Sequence, residues 1–118
     1  MEASLIRAIQ VKFMSSVEKD IIDIFSSLLK KKLSVHRIEL FGSRARGDAD
    51  PDSDMDVLAI VDEITPELED YVSECAWEAG FEHGIVVVPV VFTRDEWENG
   101  PERYSLLAEA IRAEAVQL

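Results

Sequence analysis

The chain has 118 residues, 47% of them hydrophobic and 31% charged, so a single domain spanning residues 1–118 with its own core is expected. Acids outnumber bases 24 to 12, a formal net charge of −12, which argues against a nonspecific nucleic-acid binder, because that needs basic surface to displace counterions. One cysteine and two histidines exclude an internal disulfide and a cysteine-built metal cluster and make a zinc site improbable.

The longest apolar run, Gly84 to Phe92, is too short to span a bilayer. The first residues lack the charged start, apolar stretch and small-residue cleavage site of a signal peptide, so a reducing cytoplasm is expected for the lone Cys75. The charge is uneven. Residues 1–47 carry nine bases and five acids, net +4, and residues 48–118 carry three bases and 19 acids, net −16.

In chain order, Leu5, Ile6, Ile9 and Phe13 give a weak helical pattern over residues 3–13. Ser15 or Ser16 reads as an N-cap. Val17, Ile21, Ile24, Phe25, Leu28 and Leu29 follow at helical spacing, and the helix should run to about Lys32. Lys30 to Lys32 would sit favourably at its C-terminal end. Val35 to Phe41 reads as a strand closed by Gly42. Met55 to Val61 is a second strand, apolar on both faces after its first residues and therefore central in a sheet. Thr65-Pro66 opens a helix, with the proline at its first position. Leu68, Tyr71, Val72, Cys75, Ala76 and Ala79 form its apolar stripe, which makes Cys75 a core thiol, and Gly80 should end it. Ile85 to Phe92 is a third strand, where Pro89 demands an edge or a bulge. Thr93 with Glu96 forms a capping box for a short helix. After the Asn99-Gly100-Pro101 turn, a last helix is expected from about Pro101 to Val116, packing Leu106, Leu107, Ala110, Ile111 and Ala115. Trp77 and Trp97 are expected to pack at helix surfaces. Strands and helices alternate, so the class is α/β (α+β), a small mixed sheet of three or four strands with helices packed on it.

One segment carries the chemistry. A strand ends in Gly42-Ser43, and after ten intervening residues Asp54-Met55-Asp56 opens the next strand. Strand alternation puts Asp54 and Asp56 on one face, close together. Adjacent carboxylates repel, so one should resist ionisation unless a cation sits between them. Mg²⁺ takes one or two carboxylates and completes its shell with water and substrate phosphates. Gly42 permits close backbone approach. Ser43 offers a hydroxyl and an N–H to a phosphate oxygen, and Arg44 and Arg46 could neutralise phosphate charge. For Asp48, Asp50 and Asp52 alone, a solvated acidic loop is the default. An EF-hand starting at Asp48 fails, because its sixth residue is Ser53 and its twelfth Ala59. A Walker loop fails too, for want of Gly-Lys-Ser/Thr. With each residue type at roughly 5–10% usage, the joint spacing of Gly42, Ser43, Asp54 and Asp56 arises by accident in about one such chain in several hundred.

The run Leu40-Phe41-Gly42-Ser43-Arg44-Ala45-Arg46-Gly47, followed by Ser53-Asp54-Met55-Asp56-Val57, resembles the signature of the minimal nucleotidyltransferases. These belong to the DNA polymerase beta-like superfamily, which includes the kanamycin nucleotidyltransferases. The resemblance covers about residues 15–93. It implies the nucleotidyltransferase fold and transfer of a nucleoside monophosphate from a nucleoside triphosphate, ATP first among them, to an acceptor hydroxyl on a small molecule or protein. It implies that Gly42 and Ser43 hold the triphosphate and that Asp54 and Asp56 bind two catalytic metals, Mg²⁺ or Mn²⁺. Arg44 and Arg46 match positions that are commonly basic.

One departure stands out. The family pattern has a third carboxylate on the next strand, and here that strand is Val86-Val87-Val88-Pro89-Val90-Val91. Pro89 or a neighbouring valine occupies its place, and Glu39, Asp62 or a carboxylate from another chain would have to substitute. The resemblance therefore also implies a second reading: a nucleotide-binding or antitoxin-like subunit with little catalysis of its own, acting with a separate helical protein of the HEPN type or a second copy of the chain. A template-reading polymerase is not expected, since the composition provides no basic groove.

Overall fold

A four-stranded mixed sheet with helices on both faces carries the site. The computed structural model describes residues 15–101 and 105–117, and the expected helix over residues 3–13 lies outside them. The elements are α1 (Ser16–Leu29), β1 (Val35–Phe41), α2 (Ser43–Arg46), β2 (Met55–Val61), α3 (Pro66–Phe81), β3 (Val87–Thr93), α4 (Arg94–Asn99), α5 (Leu106–Glu114) and β4 (Val116–Gln117). The sheet order is β3-β2-β1-β4. β1 is antiparallel to both β2 and β4, whereas β2 and β3 run parallel, joined by the α3 crossover. The Met55–Val61 strand is central, as its two-sided apolar pattern requires.

Local chemistry sets the helix starts. The Ser15 hydroxyl accepts from the Glu18 N–H at 3.1 Å, and Glu18 Oε1 accepts from the Ser15 N–H at 2.9 Å. A capping box of this kind satisfies two orphan donors at once. Thr93 and Glu96 repeat it for α4, and the Thr65 hydroxyl caps α3 ahead of Pro66.

The helix ends differ from expectation. α1 stops at Leu29, and Lys30 to Lys32 form the turn beyond it. α3 runs past Gly80 to Phe81. Gly80 instead makes room: a side-chain carbon there would overlap the Ile85 carbonyl oxygen. α5 starts at Leu106, capped by the Ser105 hydroxyl, which accepts from the Ala108 N–H at 3.0 Å. That start turns Leu106 to solvent at 85% exposure, leaves Leu107 and Ala110 exposed too, and buries Ala108, Ile111 and Ala115.

Each face of the sheet has its own core. On one, Leu40, Met55, Val57, Ala59, Val61 and Val87 pack against α1 and α3 through Ile21, Phe25, Leu29, Val72, Cys75 and Ala79. Full burial of one such large side chain contributes about 1.5–3 kcal/mol. On the other, Phe41, Leu58, Ile60, Val90 and Phe92 meet Trp97, Ala108, Ile111 and Ala115. Trp97 is buried there, with the Arg112 guanidinium 4.3 Å from its ring centroid. Trp77, by contrast, is 67% exposed.

β3 is an edge strand, and its register with β2 runs without a shift from Met55↔Val87 to Val61↔Thr93. Pro89 is therefore accommodated by the edge position, with no bulge.

Candidate active site

β1 ends at Phe41, whose cross-strand partner is Asp56. Gly42 then takes φ 77° and ψ −157°, a conformation essentially restricted to glycine. The chain coils into the four-residue helix α2, where the Ala45 and Arg46 N–H groups both donate to the Gly42 carbonyl at 3.1 Å. The Ser43 and Arg44 N–H groups precede these first helical bonds and stand at the open end of the turn. Gly47, left-handed at φ 80°, ends α2. The loop of residues 48–54 leads to β2.

Asp54 is exposed and Asp56 is half-buried, two residues apart on the sheet face that bears Leu58 and Ile60. The Asp56 carboxylate reaches across to β1. A side-chain carbon on Gly42 would overlap Asp56 Oδ2 and lie 3.2 Å from Cγ. Burial first, and the Asp54 charge second, push the Asp56 carboxyl above the usual carboxylate range, with the Arg46 charge opposing them.

A carboxyl whose folded pKa lies above its unfolded one costs stability as pH rises from the unfolded value through the folded one, and the cost persists above both. In metal-free protein, Asp56→Asn should therefore raise the melting temperature by a few degrees at neutral pH. The gain should vanish below the unfolded carboxylate pKa. Because the group is half-exposed, the effect should stay within about 1 kcal/mol. Melting curves taken across pH with chelator present check this; a variant less stable than the parent at neutral pH would contradict it.

Arg46 is exposed, with Nη1 2.9 Å from Glu114 Oε2 on α5 and Nε 3.3 Å from Asp48 Oδ2. Arg44 points elsewhere, into the loop. Its Nε and Nη2 donate to the Ser53 carbonyl at 2.9 and 2.7 Å, and Nη2 also donates to the Pro51 carbonyl at 2.8 Å. The structure thus groups Gly42, Ser43, Arg46, Asp54 and Asp56 around one turn, with Arg44 behind it.

Of the suggested substitutes for the third acid, neither Glu39 nor Asp62 joins this group. Glu39 is buried and paired with Arg37. Asp62 sits beyond the opposite end of β2, bonded to His36, which draws its carboxyl below the usual range. Among the described residues, no three His, Cys, Asp or Glu come together as a metal-binding group. The parallel register also decides between Pro89 and its neighbours. Val88 is the partner of Asp56, while Pro89 pairs with Val57 and belongs to the α3 face. A polar cleft of about 470 Å³ lined by Glu18, Arg44, Asp50 and His83 lies beside the same loop but includes neither acid. The acid pair itself offers hard oxygen donors, and the absence of a Gly42 side chain lets Asp56 Oδ2 lie close against the turn. These donors fit a cation of the Mg²⁺ type.

A family model described as "Nucleotidyltransferase domain" matches residues 18–112. The chain is also 34% identical over 97 residues to a Methanocaldococcus jannaschii protein named "Putative protein adenylyltransferase", a match covering 75% of this chain and 92% of that one. The family-model match takes in the turn at Gly42 and the acids that open β2.

Proposed function

The chain belongs to the nucleotidyltransferase domain family, and on that premise we propose that it is a Mg²⁺-dependent enzyme moving AMP from ATP to an acceptor hydroxyl on a protein or small molecule. The observation that carries this reading is the placement of Asp56 against the Gly42 turn as the cross-strand partner of Phe41, with Asp54 two residues before it. The relative's name favours the adenylyl group and a protein acceptor.

In the proposed reaction the acceptor oxygen forms a bond to the α-phosphorus. The bond from that phosphorus to the β-phosphate bridging oxygen breaks, pyrophosphate leaves with the electron pair, and the acceptor proton passes to solvent. Asp54 and Asp56 would hold the cation. When bound, that cation supplies positive charge for the triphosphate and for the oxygens loaded during transfer. Ser43 would donate its hydroxyl and N–H to phosphate oxygens. Arg46 is suited to join it, because exposed ion pairs such as those with Asp48 and Glu114 are weak and exchange readily for a phosphate. Arg44 is already committed to carbonyls and has no such freedom.

A second reading is favoured by Val88 standing beside Asp56 where the family places an acid. In it, the chain alone binds nucleotide but transfers it slowly, and a HEPN-type helical protein or a second copy completes the site. An apolar groove of about 590 Å³ between α3 and the β3 edge, lined by Trp77, Phe81, Val86 and Val88, runs up to that position and would suit such a partner. No helix among the described residues is long and apolar enough to cross a membrane, and the buried free thiol of Cys75 suits a cytoplasmic location.

Val88→Asp separates the two readings. With Mg²⁺ and α-labelled ATP, faster transfer by Val88→Asp than by the parent, about tenfold or more on the scale at which even the groups that orient metal ligands act, supports the incomplete site. Pro89→Asp, aimed at the α3 face, should give no gain. Rapid transfer by the parent that Val88→Asp does not improve would show that two acids suffice.

A further inference from the structure

We propose that Arg44 is a positioning residue for Asp54, acting through the peptide bond that precedes it; this rests on reading Asp54 and Asp56 as the cation site. The side chain is only 8% exposed, and every contact described for it leads into the acidic loop or to α1. Two of its nitrogens converge on the Ser53 carbonyl, and one of these also bonds the Pro51 carbonyl. The remaining nitrogen, Nη1, faces Glu18 Oε2 at 3.4 Å. The other Glu18 oxygen accepts from the Ser15 N–H and hydroxyl, both at 2.9 Å.

The Ser53 carbonyl and the Asp54 nitrogen share one planar peptide, so fixing the carbonyl fixes the plane from which Asp54 departs. On the far side, the Met55 N–H donates to the Val86 carbonyl at 2.8 Å. Asp54, exposed as it is, stands between two anchored peptides. The loop's internal bond from the Ser53 N–H to the Asp50 carbonyl, at 3.0 Å, closes a turn without tying it to the rest of the molecule. Asp48, Asp50, Asp52 and Asp54 repel one another along this segment, so an external tie is needed. A guanidinium suits the task, because its fixed fork serves two carbonyls and a carboxylate at once, which an ammonium on a flexible stem cannot. Glu18, buried opposite it, compensates the charge that would otherwise be costly to hold there.

The test compares the parent, Arg44→Lys and Arg44→Gln in the full chain by amide hydrogen exchange and by Mn²⁺ titration calorimetry. Arg44→Lys keeps the charge facing Glu18, so it folds even if Arg44→Gln does not. The expected result is selectively faster exchange at the Ser53 and Met55 amides, tenfold or more relative to the Leu40 and Leu58 amides, and Mn²⁺ affinity lower by about 10-fold or more, as for other residues that orient metal ligands. Phe25→Leu, a core change that also lowers the melting temperature, should leave both readouts at parental values. Unchanged exchange at Ser53 and Met55 in Arg44→Lys, or the same selective loss in Phe25→Leu, would overturn the proposal. A parent that binds no Mn²⁺ would refute the cation reading beneath it, and the exchange pattern alone would then judge the positioning role.

Discussion

Gly42→Ala should leave a folded protein that has lost most of its nucleotidyl transfer. Two costs meet at this position. A residue with a side chain at φ 77° and ψ −157° pays about 1–3 kcal/mol for a backbone region that essentially only glycine occupies. Its methyl group must also displace Asp56 Oδ2, which occupies the same space. A domain of this size is stable by about 5–15 kcal/mol, so the fold should survive the first cost, visible as an unchanged circular dichroism spectrum and a melting temperature lower by several degrees. The second cost falls on function. The carboxylate must turn away from Gly42, and a displacement of about 1 Å in a reacting assembly can cost 100-fold in rate. Transfer within about threefold of the parent would show that the Asp56 position tolerates this shift, and that the close approach at Gly42 serves only the fold.

The close approach illustrates what could be seen in the chain and what could not. Gly42 stands out in the sequence as a point of backbone access to a ligand. Its tightest neighbour is instead a carboxylate of the facing strand, which depends on the register Phe41↔Asp56 and on no local pattern. Arg44 is a similar case. Its position in a Gly-Ser-Arg run suggests phosphate, but its carbonyl partners lie seven and nine residues on and come within reach only once the loop has folded back. The strand at Met55–Val61 was legible because the apolar run from Val57 onward, opened by acids, leaves little choice, and the strand at Val35–Phe41 because Val35, Ile38, Leu40 and Phe41 run up to a closing Gly42. The caps at Ser15, Thr65 and Thr93 were legible because capping is decided within three residues. The phase of α5 was not. The helix begins at Leu106 and not at Pro101, with both leucines exposed and Ala108, Ile111 and Ala115 buried, and Ser105 was the overlooked signal. A two-residue strand such as β4 carries no period to detect. The choice of Val88 over Pro89 as the residue facing the acids follows from the parallel pairing of β2 with β3, a tertiary fact.

The account turns on Asp54 and Asp56 acting as a cation-binding pair. Without a cation, burial first and the Asp54 charge second hold the Asp56 carboxyl above the usual range; with one, the same charges attract it and the triphosphate it carries. Replacing both by asparagine removes the repulsion and the attraction together. The metal-free double variant should therefore be at least as stable as the parent, yet gain nothing from Mg²⁺ and ATP. The parent should gain about 2.7 kcal/mol at a ligand concentration 100 times its dissociation constant. Loss of such preorganised charge stabilisation typically costs about 100-fold or more in rate, so transfer should fall to background. The decisive measurement is the covalent transfer of label from α-labelled ATP in the presence of Mg²⁺, comparing the parent with Asp54→Asn/Asp56→Asn, each alone and mixed with a candidate partner. The account predicts labelled acceptor with the parent, alone or once the partner is added, and none with the double variant under either condition. Equal labelling by the two proteins would contradict it.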